Sequence, residues 1–196
     1  MTNHTTILCL DLAFSNTGCA VLALDPAAQV DQLIHTETIH TDKTDKETLR
    51  KLKMRVSEDD WRRSQELYRG IDKVISRFDP VHIFIECPTG GSKSAFAAKA
   101  MALAKGIACA ATTQHAVPVT LITPFEAKRA ATGSPDATKG QVKKAAMKLF
   151  PDYQGWAKTS TDRLLVGANE HVFDAISVYM AAKKTKAYGE LKNVGN

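Results

Sequence analysis

Three acidic residues in this sequence sit where charge is costly. Asp11 closes the apolar run "TTILCLD", Glu86 ends "VHIFIE", and Asp174 lies inside "VFDAISV". A carboxylate among apolar neighbours needs a partner or a metal. Taken singly, each has an ordinary explanation. Asp11 can cap the turn "SNTG" that follows it, Glu86 can end a strand in solvent, and Asp174 can be a surface residue. Taken together they suggest a site, because carboxylates that converge repel one another and call for cations. Hard divalent ions with oxygen donors suit them best. Glu170 and His171 precede Asp174 by four and three residues. Both would share its helical face, and either can be a fourth ligand.

The elements around these residues say whether they can meet. "TTILCLDLAF" reads as a buried strand, "CAVLALD" as its antiparallel return and "QLIHTETIH" as a half-buried third strand. The charged stretch from His40 to Trp61 reads as a loop running into a helix. That helix, "WRRSQELYRGIDKVISRF", places Trp61, Leu67, Ile71, Val74 and Phe78 on one face. "VHIFIECP" and "VPVTLITP" are further strands, separated by the alanine-rich helix "AFAAKAMALAKGIACAATTQ". "PFEAKRAAT", "TKGQVKKAAMKLF" and "ANEHVFDAISVYMAAKK" complete the helices, with a loop over Asp152–Ala168 before the last. Three meandering strands followed by alternating helices and strands imply an α/β fold with a mixed five-stranded sheet flanked by helices. In such a sheet the first and fourth strands can be neighbours, and a helix laid across them can bring Asp174 to Asp11 and Glu86. Residues 1–184 are expected to form one domain and 185–196 a loose tail.

The totals agree with a globular chain. The 196 residues are 44% hydrophobic and 24% charged, no apolar run approaches the ~20 residues of a membrane helix, and the start lacks a basic signal-peptide region. Four scattered cysteines without a CxxC pair point to reduced thiols and a cytoplasmic setting, not to zinc. The net charge of +5 is uneven: residues 128–196 carry twelve Lys and Arg against six Asp and Glu, while residues 1–127 carry fourteen against fifteen. A basic C-terminal third suits a polyanion.

The ordered set "ILCLDLAFSNTGCAVL", "VHIFIECP", "AKAMALAKGIACAA", "PFEAKRAATGSPDATKGQV" and "HVFDAISVYMAA" resembles the RuvC-type Holliday junction resolvases of the RNase H-like superfamily. The resemblance implies an RNase H-like fold and a homodimer that cuts two strands of a four-way DNA junction symmetrically. It makes Asp11, Glu86 and Asp174 metal ligands, favours His171 over its rival Glu170, and matches Lys128 and Lys139 to two functionally important lysines. Two departures stand out: the charged stretch His40–Trp61 and the loop Asp152–Ala168 are longer than usual for the family and could alter DNA contacts or dimerisation, and the family's aromatic wedge is not found. Family members often carry an aromatic wedge soon after the catalytic glutamate, whereas "ECPTGGSKSAF" has none before Phe96.

Phosphodiester hydrolysis needs charge neutralisation and an activated water, which two Mg²⁺ ions roughly 4 Å apart supply. Asp11 would bridge them, and a histidine ligand would let Mn²⁺ substitute. Lys139 could steady charge on the phosphate. Lys93, Lys99, Arg129, Lys143, Lys144 and Lys148 are expected to track phosphates. The alanine-rich helix can serve as a dimer interface or lie in the monomer core. The competing readings are a nuclease of the same fold acting on flaps, forks or RNA–DNA hybrids, and a non-catalytic DNA-binding module. A sugar-kinase-like nucleotide site is disfavoured, since no second glycine-rich loop follows, so neither a nucleotide cofactor nor a membrane partner is expected.

Overall fold

The computed structural model describes residues 5–25, 28, 30–87, 94–161, 164, 165 and 167–193. Five strands form one sheet in the order β3-β2-β1-β4-β5. β1 (Thr6–Asp11), β2 (Asn16–Ala23) and β3 (Gln32–His40) make the antiparallel meander. β4 (His82–Glu86) then runs parallel to β1, and β5 (Val119–Ile122) parallel to β4. The mixed sheet expected from the pattern is the sheet found.

Alternation along the strands divides the interior in two. Ile7, Cys9 and Phe84 face the core made with α4 (Pro124–Thr132), α5 (Lys139–Leu149) and α6 (Glu170–Ala182). Leu8, Leu10, Ile83 and Ile85 face α2 (Val56–Phe78) and α3 (Ala95–Gln114). Both faces of β1 and β4 are therefore covered, which is why these strands read as unbroken apolar runs.

Four expectations need correction. α2 starts at Val56, after the short α1 (Lys46–Lys51), and its buried stripe runs through Asp60, Arg63, Leu67, Ile71 and Val74. That register turns Trp61 outward, leaving it 71% exposed. α3 has the length and apolar composition to cross a membrane, contrary to the reading of the totals. Here it packs on the α2 side of the sheet through Ala104, Ala108 and Ala111, and most of its other residues are exposed. It is thus not a wholly internal helix. Finally, part of the stretch expected as a loose tail is helical: Lys186–Asn193 form α7. Tyr188 is buried and donates to Asp31 Oδ2 at 2.5 Å, while Lys192 Nζ reaches Asp31 Oδ1 at 2.8 Å. Asp31 is itself fully buried, and these partners offset the cost of its charge.

Candidate active site

β1 and β4 end side by side, and their last residues, Asp11 and Glu86, are partners in the parallel register. Both fall on the α6 face by alternation with Cys9 and Phe84. Directly after Asp11 the chain folds back. Thr17 Oγ donates to the Ala13 carbonyl at 2.6 Å and accepts the Ala13 N–H at 3.2 Å, closing the turn that Asp11 itself does not cap.

The next residue sets the height of the helix above the sheet. Gly18 pairs with Asp11 across β1 and β2, and a Cβ there would lie 2.0 Å from the His171 carbonyl oxygen. With hydrogen in that place, the first turn of α6 rests on the sheet. Val172, Phe173, Ala175 and Ile176 are buried beneath it, and the i, i+3 spacing turns His171 and Asp174 to the carboxylate edge. Donor atoms of Asp11, His171 and Asp174 lie within 4.8 Å of one another, all three side chains being half-buried. His171 Nδ1 is 3.3 Å from Asp11 Oδ2. Glu86 stands outside this triplet, one strand further on.

The charges respond to this crowding. Burial first, then repulsion from Asp11 and Asp174, pushes Glu86 up to about 8, with Lys128 opposing. Burial and Asp11 push Asp174 up to about 6, with Lys139 and His171 opposing. The hydrogen bond to Asp11 raises His171 against the effect of burial. Such a set of oxygen donors and one imidazole, relieved only in part by Lys128, Lys139 and His171, fits a divalent metal. Glu170 is engaged elsewhere: it pairs with Lys139, which lowers the glutamate and raises the lysine. The geometry therefore brings His171, and not Glu170, to the carboxylates.

The predicted cations scatter. Lys128 acts on Glu86, and Lys139 acts on Asp174 and Asp11, so both flank the site. Lys143 lines the same small cleft as Lys139, Glu170 and Asp174. Lys144 is exposed on α5. Arg129 and Lys148 border hollows beside Lys184, at the far end of α6, roughly 18 Å along its axis from His171. Lys99 is tied to Asp60 of α2, with its side chain half exposed. Lys93 lies outside the described residues.

Sequence reasoning missed three positioning groups. Gly18 was visible only as part of a turn. Asn169 is buried and its amide holds the Ala157 N–H and carbonyl, both at 2.9 Å, fastening the preceding loop to α6. Arg63 is 2% exposed, donates to the Thr41 carbonyl and Ser15 Oγ, and covers the Phe14 ring at 4.4 Å. No signal in the sequence separates that arginine from the others on α2.

Residues 7–154 match the family model described as crossover junction endodeoxyribonuclease RuvC. Among solved structures, the chain is similar to Thermus thermophilus RuvC in complex with a Holliday junction substrate (TM-score 0.66, 19% identity, covering 91% of this chain and 92% of that one). A second Thermus thermophilus RuvC structure aligns with TM-score 0.67 at 18% identity, covering 94% and 97%. The yeast mitochondrial Holliday junction resolvase Ydc2 aligns with TM-score 0.58 at 13% identity, covering 98% and 85%. No curated protein sequence matches significantly.

Proposed function

Because this chain belongs to the RuvC family of crossover junction endodeoxyribonucleases, we propose that it resolves four-way DNA junctions by hydrolysing one phosphodiester in each of two symmetry-related strands. The convergence of Asp11, His171 and Asp174 within 4.8 Å, with Glu86 in register beside Asp11, carries this reading.

Asp11, Glu86, His171 and Asp174 would hold two Mg²⁺ ions, with Mn²⁺ accepted. Those ions would supply charge neutralisation at the phosphate and an activated water. The chain's own groups do the rest. Asp11 and Glu86 are fixed by strand backbone and hold their positions without reorganising. His171 orients on Asp11 through Nδ1. Lys139 and Lys128 sit on the α4–α5 side, where an ammonium stabilises charge growing on the phosphate oxygens.

Symmetric cutting requires a two-fold pair of active sites. The exposed, small-residue surface of α3 and the exposed Leu121 of β5 are the surface we assign to the homodimer. Phe96, 56% exposed on the first turn of α3 with Lys43 over its ring at 5.1 Å, is the aromatic group we assign to holding the junction open. Four scattered cysteines without a CxxC pair support a reducing, cytoplasmic setting.

Four-way, flap, fork and RNA–DNA hybrid substrates at matched salt test the proposal. The expected result is Mg²⁺-dependent paired nicks at symmetric positions of the four-way junction, with little cutting of the others. Preferential cutting of flaps, forks or hybrids would replace it with a different substrate, and no cutting of any would leave a DNA-binding module.

A further inference from the structure

The carboxylate centre engages only the phosphate being cut, so the neighbouring phosphates of the DNA must be held from the sides. One bank is the α4–α5 side with Lys128 and Lys139. The other lies across the catalytic edge, in the segment from Asp42 to Arg55, which carries six Lys and Arg against three Asp and Glu.

This segment leaves the sheet at the loop that follows Asp11. Thr41 N–H donates to the Ser15 carbonyl at 2.9 Å, and buried Arg63 ties Thr41 to Ser15. Its first residues are held firmly. Asp59, 1% exposed, accepts from the Thr44 hydroxyl at 2.6 Å and from Arg62, and Arg62 also donates to the Asp42 carbonyl at 2.7 Å. Asp45 caps α1, accepting N–H groups of Glu47 and Thr48. Only Lys51 is neutralised within the segment, by Glu47 at 2.7 Å. Lys46, Arg50, Lys53 and Arg55 are exposed, and their charged side-chain groups have no carboxylate partner among the described residues.

We propose that α1 and its flanks form a second phosphate-binding bank that grips a double-stranded arm of the DNA on the side of the active site opposite α4 and α5. The inference rests on the reading of the site as a DNA nuclease, but it concerns a surface that touches none of the metal-site residues. Cations on a braced segment lose little freedom on binding, and each phosphate they neutralise releases counterions. The bank reads no sequence, because it meets only the sugar–phosphate backbone.

The test is the variant Lys46→Gln/Arg50→Gln/Lys53→Gln in the full chain, with a four-way junction and a plain duplex as separate probes across a salt series. Binding of both probes should weaken at least tenfold. The slope of log K against log salt should fall by about 0.9 for each phosphate that is no longer neutralised. Single-turnover cleavage of saturating junction should stay at the unmodified rate, and the melting temperature should hold. Unchanged affinity and slope for both probes would overturn the inference. A variant that loses affinity for the duplex, in a protein that shows no junction preference, would uphold the phosphate bank while removing the resolvase reading.

Discussion

Gly18 touches His171 so closely that one added methyl group would lie 2.0 Å from the histidine's carbonyl oxygen. The contact spans 153 positions of sequence and fixes how near the acidic helix comes to the acidic strand. The metal-ligand geometry therefore depends on a residue that carries no functional group.

Gly18→Ala should lift the first turn of α6 from β2. Overpacking of this kind costs about 1–3 kcal/mol. Thermal unfolding should register that loss, and Mn²⁺ affinity by calorimetry should fall at least tenfold. A stable variant with unchanged Mn²⁺ affinity would show that α6 is positioned by other contacts.

His171→Asp should remain active and shift metal preference from Mn²⁺ toward Mg²⁺, since a carboxylate is the harder donor. Glu170→Gln should keep the ions and free Lys139, which it now holds. Rates of junction cleavage in each metal check both substitutions. Inactivity of Glu170→Gln with full activity of His171→Ala would reverse the assignment.

Stability of the metal-free protein should depend on pH through the same cluster. Glu86 stands at about 8 against an ordinary 4.5, and Asp174 at about 6 against 3.8. The folded state thus keeps protons that the unfolded chain has released, and this stabilisation is lost as pH rises through about 6 and then about 8. His171, raised by Asp11, loses its contribution in the same direction. The melting temperature should fall between pH 5 and pH 8, less so in Glu86→Gln, and added Mg²⁺ should raise it more at pH 8 than at pH 5. An equal Mg²⁺ effect at both values would contradict the coupling.

Tyr188→Phe removes one donor from buried Asp31. A hydrogen bond to a charged group is worth about 1.5–3 kcal/mol, so denaturant unfolding should shift accordingly while cleavage persists. No shift would show that α7 adds nothing to stability through this hydrogen bond.

The sheet was legible because period-two apolar runs and turn residues mark strands whatever surrounds them. Asp11, Glu86 and Asp174 stood out as charges in apolar stretches, and the structure brings them to one edge. What escaped was tertiary. On α2, Leu67, Ile71, Val74 and Phe78 pack as expected, but Trp61 was misplaced because Asp60 and Arg63, both polar, occupy the first turns of the buried stripe. α7 escaped because its anchor, Asp31, lies far away in the chain and its own apolar content is small. Lys99 reads as an unpaired cation until its partner Asp60 is known.

Asp11 is the residue that joins strand, helix and metal, and its conversion to Asn removes charge with little change of shape. The decisive measurement is cleavage of a four-way junction by Asp11→Asn in Mg²⁺, with binding followed in parallel. Intact junction binding and no nicks are expected; nicking at the unmodified rate would contradict the metal site.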